Sequence, residues 1–189
     1  MSLIHELRSR YSTPSRLLGM PGPDDDQLQR MLEVAVHVPD HGQLRPWRFL
    51  RIHGDARLAL GRALVSRLIQ REPDASAARR EKESGRFKHA PCIIAVIATL
   101  TPEHKVPESE QIQSGSCACF ALLQAADALG FGAQWLTGWA AYDQDILALL
   151  GVGANERVLG FIHIGTAQHP HEDRQRPDPA SLLTDWQPP

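Results

Sequence analysis

A chain of 189 residues is long enough to bury one core, and a composition of 42% hydrophobic and 22% charged residues is far from that of a disordered chain. Twenty Lys and Arg against 22 Asp and Glu leave a formal net charge of −2, which gives no electrostatic footing for nucleic acid or an anionic membrane. Three cysteines cannot all pair, and Cys117 and Cys119 stand together in an apolar run, so a reduced, cytoplasmic setting is expected.

The start, M-S-L-I-H-E-L-R-S-R, lacks the apolar core of a signal peptide. Ser2 is placed to cap a short helix through Arg10, with Leu3, Ile4 and Leu7 on one side. Tyr11 to Pro23 holds three prolines and two glycines and reads as loop. Asp24 to Asp26 then suit a helix N-terminus, and Leu28, Met31, Leu32, Ala35 and Val36 fall on one helical face. The stretch from His37 to Phe49, H-V-P-D-H-G-Q-L-R-P-W-R-F, is a fixed turn with an extended exit, because Pro39 and Pro46 disfavour helix at the residues before them.

Arg48 to Ile52 alternates basic and apolar side chains as a half-buried strand does. Asp55 opens a helix to about Gln70, and a second, highly charged helix is expected from Asp74 to Lys88, with R-R-E-K-E on a solvated face. Cys92 to Leu100 is short and β-branched, the pattern of a central strand covered on both faces. The helix from about Ser109 to Leu129 is apolar nearly all round after Ser116, yet its apolar run is too short for a bilayer. It must be covered on every side, and the same helix of a second subunit is one candidate cover.

Gly132 to Thr137 is another strand, Asp143 caps a helix from Gln144 to Leu150, and Arg157 to Thr166 is a strand with close backbone approach at Gly160 and Gly165. The last twenty or so residues form an arm, with Trp186 expected to dock. The expected architecture is α+β: a single domain over residues 1–189, one mixed β-sheet surrounded by helices, and a C-terminal arm from about residue 167.

No G-x-S-x-G, H-E-x-x-H, Walker or G-x-G-x-x-G motif is present. His37, Asp40 and His41 are the one tight group of ligand-type side chains, and with Pro39 between them the histidines do not share a helical face. Arg10, Tyr11 and Ser12 are donors of the kind that hold a phosphate. His37, His41 and Arg45 add further donors, and Trp135 with Thr137 ends a strand beside Gly138.

Taken in order, R-Y-S-T-P-S-R-L, P-D-H-G-Q-L-R-P-W-R-F, H-K-V-P-E-S-E-Q, G-F-G-A-Q-W-L-T-G and V-L-G-F-I-H-I-G-T resemble the nitroreductase family of flavoproteins, in its minimal single-domain branch. The resemblance implies a homodimer with FMN at the subunit interface and the long central helix at that interface. Arg10, Tyr11 and Ser12 would hold the phosphate, His37 and His41 would belong to the same anchoring region, and Trp135, Leu136 and Thr137 would line the ring from the partner side. It also implies a ping-pong oxidoreductase taking hydride from NADH or NADPH and reducing a nitroaromatic, quinone or similar acceptor, with no protein residue named as catalytic and no metal.

Three residues depart from the family pattern. Tyr11 replaces a second arginine, Leu136 stands where a basic residue is common, and His37 replaces another arginine and would carry charge only when protonated. A non-catalytic FMN store or sensor, and a metal-dependent hydrolase using His37, Asp40 and His41, are the rival readings. Arg174 and Arg176 in the arm are further candidates for the missing charge.

Overall fold

The computed structural model describes residues 3–169 and 175–188; the Ser2 cap and Arg174 lie outside them. In chain order the elements are α1 (Leu3–Ser9), β1 (Leu18–Gly19), α2 (Asp25–Ala35), β2 (Trp47–His53), α3 (Asp55–Arg71), α4 (Ala77–Ser84), β3 (Cys92–Thr99), α5 (Glu108–Ala128), β4 (Gly132–Leu136), α6 (Gln144–Leu149) and β5 (Glu156–Ala167). Short 3-10 turns occur at Ser15–Leu17, His41–Gln43, Trp139–Ala141 and Pro179–Leu182.

β3 sits inside the sheet as its β-branched run predicts, and alternation along it divides the core in two. Ile94 and Val96 pack with Leu28, Met31 and Ala35 of α2 and Cys119, Leu122 and Ala126 of α5. Ile93, Ala95 and Ile97 pack on the other side with Leu60 and Leu64 of α3, Phe87, and Ile146 of α6. Each such aliphatic side chain contributes about 1.5–3 kcal/mol on burial, so this strand organises both layers.

The sheet runs β1-β5-β3-β2, with β4 also on β5. Every described pairing is antiparallel, where a mixed sheet was expected. Strands joined by long helical segments can return in either direction, so interleaving alone does not fix pairing sense. β1 was read as loop; its two residues become a strand only by pairing Leu18 with Ala167 and Gly19 with Thr166 at the far end of the chain.

Side-chain caps set the N-termini of α2, α4 and α6. Asp24 accepts from the Gln27 amide at 2.7 Å while Gln27 accepts from the Asp24 amide at 3.0 Å, a complete capping box. Asp143 caps α6 through the Asp145 and Ile146 amides. α4 is shorter than expected, because Ser76 rather than Asp74 caps it. Its charged face is not wholly solvated either: Glu83 is 4% exposed and paired with Arg86.

α5 was expected to be covered all round, but this chain leaves a stripe of Gln113, Cys117, Phe120 and Ala128 open. Val36, expected on the buried face of α2, is exposed, as are Ile4 and Leu7 of α1. Trp186 is 82% exposed, so the arm does not bury it against its own chain. None of the described helices is long and apolar enough to cross a membrane.

The expected close approach at Gly160 is the tightest in the sheet. Val96 faces Gly160 and Ile97 faces Val158, so Leu159 is an extra residue, a bulge in β5. Its carbonyl accepts from Trp135 Nε1 at 3.0 Å. A Cβ at Gly160 would overlap that indole, and one at Gly115 of α5 would overlap the Leu159 side chain. At Gly165 a Cβ would lie 2.9 Å from the Gly19 carbonyl, the backbone approach that lets β1 pair.

Candidate cofactor site

The His37–Phe49 element is built on Asp40. Its Oδ1 accepts from the Leu44 amide at 3.1 Å and its Oδ2 from the Arg45 amide at 2.8 Å. These bonds hold a turn in which Gly42, Gln43 and Arg45 have φ of 74°, 54° and 50°. Left-handed conformations at two non-glycine residues are strained and need such support. The turn is fixed to α5 as well, since Ser114 Oγ donates to the Pro39 carbonyl at 2.5 Å and His41 Nδ1 lies 2.7 Å from Glu110. His37 Nδ1 instead sits 2.7 Å from the Glu33 carbonyl on α2.

His37, Asp40 and His41 therefore face three different partners, and the hydrolase reading loses its convergence. Among the described residues, no group of three or more His, Cys, Asp or Glu side chains is placed to hold a metal. Asp40→Ala is expected to release the turn and lower stability by about 1.5–3 kcal/mol, the range for bonds to a charged acceptor. Urea denaturation measures it, and Asp40→Asn, which keeps one acceptor, should recover part of the loss.

Arg10, Tyr11 and Ser12 lie on another side of the molecule. The Thr13 amide donates to the Ala133 carbonyl at 3.0 Å and the Ser15 amide to Gln134 Oε1 at 2.5 Å, so the segment runs alongside β4. The Arg10 guanidinium stands over the Phe120 ring with its centre 5.9 Å away, and Nη1 reaches Ser12 Oγ at 3.4 Å. From the arm, Arg176 Nη2 donates to the Arg10 carbonyl at 3.3 Å. Burial, and then the charge of Arg176, lower the Arg10 pKa from its ordinary value. Two guanidiniums and a hydroxyl gathered this way suit a multiply charged anion, whose arrival offsets their repulsion. That donor chemistry fits a phosphate end.

The residues at the end of β4 differ in what they offer. The Trp135 indole is committed to the Leu159 carbonyl, so its polar atom serves the bulge, while Leu136 and Thr137 are half-buried. Gly138 follows with φ 81° and ψ −179°, a conformation essentially restricted to glycine. A Cβ there would lie 3.0 Å from Arg86 Nη1. Burial alone would push the Glu83 carboxyl up, but the paired Arg86 guanidinium reverses this and holds it below the usual carboxylate range.

Within one chain, then, the segment that follows Ser12 runs beside Ala133 and Gln134 of β4, and His41 is remote from Arg10. Glu110, which holds His41, precedes Phe120, which holds Arg10, by roughly 15 Å of helix at 1.5 Å per residue. His37, by contrast, stands beside Ala125 and Ala128, which also border Leu7 and Ser9. Glu83 and Arg86 carry one signal in the sequence, an acid and a base three apart at the end of the charged helix.

The sequence model of the Nitroreductase family matches residues 7–166. With the antiparallel sheet, the central α5 and the phosphate-type donors beside β4, this places the chain in the nitroreductase family. YdjA of Escherichia coli (strain K12), named provisionally as an NAD(P)H nitroreductase, is 33% identical over 180 residues, covering 95% of this chain and 97% of YdjA. A Haemophilus influenzae protein with the same provisional name is 31% identical and covers 91% of this chain and 92% of its own. Among solved structures, a nitroreductase-like family protein from Bacillus cereus superposes with a TM-score of 0.85 at 22% identity, covering 97% and 95% of the two chains. A Bacteroides fragilis nitroreductase with bound FMN gives a TM-score of 0.74 at 19% identity, covering 99% and 100%.

Proposed function

We propose that this chain is an FMN-dependent oxidoreductase that takes hydride from NADH or NADPH and reduces a small acceptor, such as a nitroaromatic or quinone, in ping-pong order. The observation that carries the reading is the gathering of Arg10, Arg176 and Ser12 beside β4, in a chain whose family relatives are named for NAD(P)H-linked reduction. FMN, when bound, supplies the hydride chemistry. Arg10 and Arg176 neutralise the phosphate, Ser12 donates to it, Tyr11 flanks it, and Trp135, Leu136 and Thr137 present the ring-binding edge.

The working unit is a homodimer. The open stripe of α5, with exposed Ile4, Leu7 and Val34 around it, is apolar surface that a second copy covers. A groove of about 430 Å³ between α2 and α5, bordered by Val34, His37, Ala125 and Ala128, lies on this side. The separation of His41 from Arg10 favours a division in which Arg10–Ser12 acts from one subunit and His41 from its partner.

The test begins with the colour of the purified protein. Flavin absorbance, bleached by anaerobic NADH or NADPH and restored by a quinone, is the expected result. Bound flavin that neither nucleotide reduces would mark a store or sensor, and a protein that takes up no FMN would end the proposal. His41→Ala is expected to weaken FMN binding about tenfold, the equivalent of one charge-assisted bond, while the loss of its exposed contact with Glu110 lowers stability by less than about 1 kcal/mol.

A further inference from the structure

Buried Glu83 and half-buried Arg86 form an ion pair apart from Arg10, Ser12 and Arg176. Arg86 gives Nε to Glu83 at 2.7 Å and Nη2 at 2.8 Å. That side-on fork occupies one edge of the guanidinium and leaves Nη1, with its two N–H groups, at the opposite corner. The free corner is the one lying against Gly138, whose missing Cβ makes the room for it. The Glu83 and Arg86 side chains are 6% and 21% exposed. A buried ion pair is weak ground for stability by itself, because desolvation consumes most of the Coulomb gain. What this one does achieve is aim: a fixed carboxylate turns a cation toward the end of β4, where Leu136 offers no charge.

We propose that Arg86 is a direct cofactor contact, its Nη1 donating to a carbonyl oxygen on the ring edge of a flavin lying along Trp135–Thr137, with Glu83 as the residue that positions it. The inference rests on the FMN reading above. A donor held in this way binds the oxidised ring and favours the extra negative charge of the reduced one, so it acts on both affinity and potential. It acts on the ring and not on the phosphate, which Arg10 and Arg176 hold.

The experiment compares wild type with Arg86→Gln and with the double variant Glu83→Gln, Arg86→Gln, which removes both charges and leaves no buried carboxylate unpaired. Apoprotein is titrated with FMN and with riboflavin, which lacks the phosphate, and the potential of bound FMN is measured. The expected result is a loss of about tenfold or more in affinity for both flavins, a lower potential, and a double variant that melts where the wild-type apoprotein does. Either flavin bound within twofold of wild type at an unchanged potential overturns the assignment. A loss confined to FMN also overturns it, by moving Arg86 to the phosphate end. A wild-type protein that binds no flavin refutes the proposed function itself, which is a different failure.

Discussion

Gly160→Ala is expected to destabilise the protein by about 3 kcal/mol or more, at the upper end of overpacking substitutions. The added methyl falls on the Trp135 indole, and the ring cannot yield without giving up its bond to the Leu159 carbonyl. That carbonyl belongs to the bulged residue of β5, so losing the indole leaves it without this donor. Urea denaturation should report the loss directly. The cause is tested by coupling: in a Trp135→Ala background the same glycine substitution should cost far less, and two independent, additive losses would show that the indole is not what the methyl meets.

Arg10→Ala is expected to weaken FMN binding by about 10- to 150-fold, the range of one strong charge-assisted contact of 1.5–3 kcal/mol. Riboflavin affinity should barely move, because the lost partner is the phosphate. Arg176→Ala should act in the same sense. In the apoprotein, Arg10→Ala relieves the repulsion from Arg176 but also loses the attraction of Asp127 and the contact with Phe120, so FMN and riboflavin affinity, not melting temperature, is the readout. Equal losses of riboflavin and FMN would place Arg10 away from the phosphate.

How much of this was legible in the sequence depended on the range of the forces involved. β3 and α2 were, because a short β-branched run and a helical period record burial locally, and the Asp24 and Asp143 caps were, because a cap bonds within its own turn. Gly160 and Gly165 stood out as glycines inside a strand pattern. β1 did not, since Leu18-Gly19 has no strand character until Ala167 and Thr166 meet it. Glu83 reads as solvated because its neighbours in sequence are charged, yet it is buried and paired with Arg86. The candidate anchors Arg10 and Ser12 were readable as donors, but which residues stand beside them is a property of the assembled sheet.

The pairing of β1 with β5 joins residues about 150 positions apart, and that separation sets an order of events. Arg10 to Ser12 leave the ribosome among the first residues, yet the amide partner that fixes their path, Ala133, and the strand that clasps the segment, β5, are made late. Contacts of such long range carry the full closing cost of the intervening chain before they are formed. A nascent chain stopped before Glu156 thus carries Arg10 and Ser12 without Arg176 and without the strand that clasps β1, and readiness for cofactor becomes a property of the finished polypeptide.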